Sequence, residues 1–169
     1  MLKSQDILPL IVLVQKEKYR YTSQYALAQF LDWSPASLHR SLQRSEKCSL
    51  WFPSQNRVSK ESLKEFLRHG LRYVFPAECT APCRGVITAY VPMTTQPTLP
   101  YVWPTETGKD YGIGIQPLDS KFSLVAQKFP DLAPLLHCLE VFRMGRKREL
   151  VLAEKYFDSI LAPSVAKQK

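Results

Sequence analysis

The sequence predicts a mainly α-helical fold with a short β-hairpin, a proline-rich extended arm and C-terminal helices. Three observations lead to this prediction. The first 76 residues contain few prolines and repeat apolar residues at the three- and four-residue spacing of a helix. Nine of the 13 prolines then fall between Pro76 and Pro134, where they disfavour helix. Residues 131–161 return to a helical pattern.

These composition changes divide the chain into three parts. We expect a compact helical domain at residues 1–76, a proline-rich extended segment at 77–130 and C-terminal helices at 131–169. A hydrophobic fraction of 45% is sufficient for a buried core. Tyrosines and tryptophans in the extended segment are expected to pack against that core.

Local signals place the helices of the first domain. Apolar residues at 7–14 predict a first helix, with Pro9 in its first turn. A second helix is expected to start at Thr22 or Ser23 and to end near Leu31. Ser34 is a strong N-cap for a third helix, because Pro35 suits the first helical position.

A hairpin and a fourth helix are expected next. Residues 50–52 and 57–58 are candidate strands around a turn at Pro53–Asn56. Ser59 is the predicted N-cap of the fourth helix, whose apolar face comprises Leu63, Phe66 and Leu67.

The second and third helices have the features of a helix-turn-helix. Ala28 is a small residue where the helices would cross, and the turn at residues 32–34 is short. Leu38 and Leu42 would point inward. The remaining face of the third helix is polar, as a helix that enters the major groove requires. With the hairpin as its wing, this domain is predicted to be a winged helix-turn-helix.

The segment Trp33–Leu42 resembles the recognition helix of bacterial MarR-type regulators, which commonly reads Leu-Ser-x-x-(Ser/Thr)-(Val/Leu)-x-Arg-x-Leu. Residues 69–78 also resemble a segment of small bacterial regulators of this type. Asp32 departs from the pattern, because the family usually has glycine in the turn, and Asp adopts a left-handed conformation less readily than Gly. The resemblance implies sequence-specific binding to double-stranded DNA.

Candidate DNA contacts fall into two classes. Arginine is the best reader of guanine in the major groove, and the residues predicted to contact base edges are Ser37, His39, Arg40, Gln43 and Arg44. Other cations would contact phosphates, which supply affinity without sequence information. These are Lys16, Lys18, Arg20, Lys47, Arg57 and Lys60. The tip of the wing would be Gln55, Asn56 and Arg57, with Arg57 entering the minor groove.

The charge distribution agrees with a polyanionic partner. Residues 1–76 contain 12 Lys and Arg against 6 Asp and Glu, whereas residues 77–169 contain 11 against 9. We therefore expect a transcriptional regulator, with repression as the expected mode and its own operon as one candidate target. The alternative is a protein-interaction module, such as an antitoxin-like protein that binds a partner encoded nearby and has no specific DNA readout.

The sequence offers little support for other classes of function. Cys79 and Cys83 have a spacing that a metal site permits, but no second pair follows, so free thiols are preferred to a zinc or a redox site. Gly112 and Gly114 lack the third glycine of a nucleotide-binding loop. We expect no enzyme, no metal and no cofactor. The first apolar run is too short to span a membrane, and a cytoplasmic location is expected.

The C-terminal region predicts two helices that are broken near Gly145. Their faces are more apolar than an exposed tail requires. In the resembled family, terminal helices form a twofold dimer that places two recognition helices on successive major grooves. A homodimer is therefore expected, and His137, between Leu136 and Cys138, is interpreted as a core histidine.

Overall fold

The computed structural model describes residues 1–15, 23–92, 98–144 and 147–161. Three predicted phosphate contacts, Lys16, Lys18 and Arg20, lie outside these residues. None of the helices in the described ranges combines the length and the apolar character that crossing a membrane requires. The architecture is mixed: helices dominate, and small sheets lie in the first and middle parts of the chain.

The first part of the chain confirms the predicted helices. After a 3-10 turn at Ser4–Asp6, α1 spans Ile7–Val14, α2 spans Gln24–Phe30 and α3 spans Pro35–Lys47. The side chain of Ser23 accepts a hydrogen bond from the amide of Ala26, and Ser34 accepts one from Ser37. These caps satisfy amides that the helices themselves leave unpaired, so each helix begins where its cap predicts.

The hairpin also forms as predicted. Strands β1, Trp51–Phe52, and β2, Arg57–Val58, pair antiparallel around a 3-10 turn at Pro53–Gln55. Asn56 closes the turn in the left-handed conformation, which asparagine tolerates better than most residues. Ser59 then caps α4, Lys60–Glu65, which continues through a π-helical turn at Phe66–Gly70 into α5, Leu71–Val74.

The middle of the chain is not the extended arm that its prolines predict. Strands β3, Cys79–Thr88, β4, Tyr101–Pro104, and β5, Asp110–Ile115, form one sheet. β3 pairs antiparallel with both other strands, while β4 pairs parallel with β5, so the three strands close on one another.

Glycines allow this closure. A Cβ on Gly85 would lie 2.2 Å from the carbonyl oxygen of Trp103, and one on Gly112 would lie 2.1 Å from that of Pro100. Only residues without a side chain permit backbones to approach so closely. Gly112 and Gly114 are therefore explained by close packing within this sheet.

The C-terminal helices complete the core. α6 spans Phe122–Lys128, α7 spans Ala133–Met144 and α8 spans Lys147–Leu161, so helices lie on both sides of the predicted break. Residues 135–143 of α7 are all buried, and α8 covers α7 with Ala153, Phe157 and Leu161. Packing within one chain thus buries α7 and one side of α8, while Val151 of α8 stays 50% exposed.

A single hydrophobic cluster joins all three predicted parts, including Leu8 and Leu38 from the first, Trp103 from the second and Leu139 and Phe157 from the third. Described residues on both sides of the boundaries predicted near residues 76 and 130 therefore contribute to this cluster.

A buried ion pair ties the parts together. Glu140 contacts Arg143, and its Oε1 accepts hydrogen bonds from the indole of Trp103 at 3.1 Å and from the amide of Leu118 at 3.3 Å. Arg143 also donates to three main-chain carbonyls, each at 2.9 Å, namely those of residues 75, 76 and 116. Because each of these buried polar groups has partners, the pair holds the end of α5, the end of β5 and α7 in one arrangement.

Candidate nucleic-acid interface

The turn between α2 and α3 comprises residues 31–34. It forms although Asp32, rather than glycine, occupies its left-handed position. Asp32 adopts φ 54°, in the left-handed region that glycine enters most easily. The amide of Trp33 donates to the carbonyl of Ala28 at 2.8 Å, and Ala28 is buried where the chain reverses. The turn therefore brings α3 back across α2 within four residues.

One face of α3 is buried and the other is exposed. Leu38, Ser41, Leu42 and Ser45 are buried. Of the residues predicted to read bases, His39, Arg40 and Gln43 are exposed and Ser37 is half-buried. The Ser37 hydroxyl accepts a hydrogen bond from Ser34 at 2.8 Å and one from Arg40 at 3.4 Å. These four residues form one polar surface on the first three turns of α3.

Arg44 lies elsewhere. Its Nε donates to Oδ2 of Asp6 at 2.8 Å and its terminal nitrogen to Oδ1 at 2.6 Å, while the Asp6 side chain is fully buried. The same carboxylate accepts a hydrogen bond from the amide of Lys3. This contact raises the pKa of Arg44, because it stabilises the charged form. The structure thus places Arg44 in an ion pair with the N-terminal turn, where its guanidinium is not available to a base edge.

The hairpin presents a compact surface beside the α2–α3 pair. Arg57 is exposed, contacts the side chain of Gln55 and lies over the ring of Phe52, 5.4 Å from its centroid. Asn56 lines a small cleft together with Ser23 at the start of α2, so the tip lies close to that helix. Lys47, at the end of α3, is also exposed.

Several of the cations in the first part of the chain have partners on α8. Lys64 pairs with Asp158 at 2.7 Å, and Arg68 pairs with Glu154 through two hydrogen bonds. The Nζ of Lys60, a predicted phosphate contact, donates to the carbonyl of Leu161 at 3.2 Å. The positive charge counted in residues 1–76 is thus partly neutralised within the chain, and the exposed Lys and Arg residues among the predicted contacts that the structure describes are Arg40, Lys47 and Arg57.

Two features beside this surface were missed from the sequence. On α2, Tyr25 is 60% exposed, and its hydroxyl accepts a hydrogen bond from Gln29 at 3.3 Å. Their spacing of four residues, which places both side chains on one face of a helix, is the signal that could have identified them. An exposed tyrosine and glutamine on the first helix of such a pair are suitable phosphate contacts.

The second missed feature is an ion pair from the C-terminal half. Nζ of Lys121, just before α6, lies 2.6 Å from Oδ2 of Asp32. The hydrogen bond from this lysine is the main reason that the pKa of Asp32 is lowered. An open cleft of about 290 Å³ next to this pair is lined by residues of both halves, among them Ser37 and Asp119.

The remaining candidate residues are His137, Cys79 and Cys83, and their surroundings are those of residues with a structural role. His137 is buried, stacks against Tyr90 and Trp103, and shares a hydrogen bond of 3.2 Å between its Nδ1 and the hydroxyl of Thr88. This confirms the interpretation as a core histidine, and burial lowers its pKa to about 4. Cys79 and Cys83 have free thiols. Within the described ranges, no three His, Cys, Asp or Glu side chains come close enough together to hold a metal ion.

Comparison with models of protein families, with curated proteins and with solved structures found no match for this chain.

Proposed function

We propose that the chain binds double-stranded DNA in a sequence-specific manner, with α2 and α3 acting as a helix-turn-helix and β1–β2 as a short wing. The observation that carries the proposal is the polar face of α3, on which Ser37, His39, Arg40 and Gln43 lie opposite the buried Leu38 and Leu42. A capped helix with one anchored and one polar face is what insertion into the major groove requires.

The proposed contacts divide by chemistry. Arg40 is the principal base reader, because its guanidinium can donate two hydrogen bonds to guanine. Lys47 and Arg57 contact phosphates beside the groove, and Tyr25 and Gln29 do so from α2. Arg44 is removed from the set of base readers, because Asp6 holds its guanidinium.

The proposed biological role is transcriptional regulation, by repression. A protein of this size that covers a promoter can prevent transcription simply by occupying the site, without a further domain. A reporter gene under the chain's own promoter tests this role, because expression is expected to fall when the protein is supplied in trans. Unchanged or increased expression would contradict repression at that promoter.

DNA binding itself is tested with duplexes selected from a random pool. Fluorescence anisotropy on selected and scrambled duplexes, at several salt concentrations, measures both specificity and salt dependence. Arg40→Ala is expected to weaken binding to the selected site by about 1–3 kcal/mol and to relax preference at one base pair. Lys47→Ala is expected to weaken all duplexes alike and to reduce the salt slope by about one unit.

Arg84→Ala is the matched control, because Arg84 is an exposed arginine on β3. If Arg40→Ala leaves the ratio of selected to scrambled affinity unchanged, α3 is not the reader. If no duplex is bound in a salt-dependent manner, the chain is better regarded as a protein-interaction module.

Assembly is tested separately. A homodimer would suit a palindromic site; α7 is buried within the chain, whereas α8 buries Ala153, Phe157 and Leu161 and leaves Val151 exposed. Sedimentation of the free protein at micromolar concentration distinguishes a species of 19.4 kDa from one of twice that mass.

A further inference from the structure

The start of α6 lies against the turn that precedes α3. Lys121 is 89 residues from Asp32 in the sequence, yet its Nζ lies 2.6 Å from the Asp32 carboxylate. At the other end of α6, the ring of Phe129 stacks on Phe30 of α2, with centroids 3.9 Å apart. α6 is therefore attached at both ends to the α2–α3 pair.

A hydrogen bond of the Lys121 main chain helps to hold the residue in this position. Its amide donates to Oδ1 of Asp119 at 2.7 Å, which fixes the backbone just before α6 begins. The Lys121 side chain is 32% exposed, so about two thirds of it is covered by the protein. The Asp32–Lys121 pair is thus a constrained contact between two rigid elements.

Asp32 is unfavourably placed for a protein that binds DNA. Its side chain is 78% exposed, two residues before the N-cap of α3, and it lines the same cleft as Ser37. In a helix-turn-helix complex this end of the second helix approaches the duplex most closely. An uncompensated carboxylate there would face the phosphate backbone and repel it.

We propose that Lys121 is part of the nucleic-acid interface, in which it acts as the counter-ion of Asp32 and allows the turn to approach the phosphate backbone. This inference rests on the proposed function. It makes the C-terminal half a participant in DNA binding, and it assigns to Lys121 a positioning and charge-compensating role with no contact to a base.

The test compares four variants by fluorescence anisotropy on selected and scrambled duplexes. Lys121→Gln leaves Asp32 uncompensated, so the Kd is expected to rise roughly threefold to tenfold at low salt for both duplexes alike. Adding Asp32→Asn to that variant is expected to restore the Kd to within about twofold of wild type, because the repelling charge is gone. Lys121→Arg retains the charge and is expected to bind like wild type.

Lys155→Gln supplies the matched control, because it removes one exposed lysine from α8 and changes the net charge equally. Its effect should stay below about twofold, because Lys155 lies on α8 and is not among the residues of the proposed interface. Thermal unfolding of each variant shows whether any loss of affinity reflects loss of fold.

Two results would overturn the inference. If Lys121→Gln binds like Lys155→Gln, the lysine has no role at the interface. If Asp32→Asn fails to restore binding in the Lys121→Gln background, compensation of Asp32 is not what the lysine does. Both results leave the proposed function standing as long as wild type binds its selected duplex and Arg40→Ala reduces the specificity. A wild-type protein that binds no duplex would refute the proposed function itself.

Discussion

Arg44→Ala is the substitution on α3 for which the structure makes the most definite prediction. Arg44 was a candidate base reader, but its guanidinium holds the buried carboxylate of Asp6 through hydrogen bonds of 2.8 and 2.6 Å. Removing the arginine leaves that carboxylate buried, and among the described residues the amide of Lys3 still donates a hydrogen bond to it. The variant should therefore lose stability, while the folded fraction should keep its DNA specificity.

The expected loss follows from the burial of the pair. Removing one partner of a fully buried ion pair costs about 3–5 kcal/mol. The Arg44 side chain is 19% exposed, so water can reach part of the site, and we reduce the expected loss to about 2–4 kcal/mol. For a chain of this length the melting temperature should fall by roughly 5–15 °C.

Urea unfolding of wild type, Asp6→Ala, Arg44→Ala and the double variant measures the pair directly. The double variant should lose less stability than the two single variants together, by about 1–3 kcal/mol. Arg40→Ala, one turn earlier on the exposed face of the same helix, should change stability by less than about 0.5 kcal/mol. Unchanged stability of Arg44→Ala, combined with loss of preference for the selected duplex, would show that Arg44 reads DNA and would refute this reasoning.

Three further substitutions test the second half of the fold. Arg143→Ala should reduce the free energy of unfolding by about 3–5 kcal/mol in urea, because Arg143 holds a buried carboxylate and three carbonyls, whereas the exposed Arg148→Ala should have little effect. His137 should make stability fall as the pH decreases from about 6.5 to about 4, by roughly 3 kcal/mol at the lower end, since the unfolded chain binds a proton that the buried imidazole does not. In thermal melts across that range His137→Phe should show a smaller slope, and an identical slope would exclude burial of His137 as the cause. Gly85→Ala should lower stability by at least about 3 kcal/mol, since the new Cβ would lie 2.2 Å from the Trp103 carbonyl oxygen, and a soluble variant with native stability would mean that the strands can separate there.

The features that the sequence predicts well are those determined by neighbouring residues. Ser23, Ser34 and Ser59 each bond to an amide three residues ahead, so the starts of α2, α3 and α4 follow from short motifs. The turn at Pro53–Asn56 is equally local. For the same reason the inward positions of Leu38 and Leu42 on α3 could be predicted from spacing alone.

The features that the sequence does not reveal depend on partners far along the chain. Arg44 has the spacing of an outward-facing residue. Its ion-pair partner Asp6 lies 38 residues away in the sequence and holds the Arg44 side chain against the protein. The closed sheet depends on glycines that meet other strands, which no window of the sequence displays. Counting the cations of residues 1–76 likewise does not reveal that Lys64 and Arg68 form ion pairs with acidic residues of α8.

The single hydrophobic core has a thermodynamic consequence for binding studies. Because α3 and the sheet around Trp103 share that core, they are expected to unfold in one cooperative transition. A duplex that binds only the folded state at one hundred times its Kd would add about 2.7 kcal/mol to the stability of the entire chain. Melting followed by intrinsic tryptophan fluorescence, to which the buried Trp103 contributes, should therefore report occupancy of α3 as a rise in melting temperature, without any label on protein or DNA.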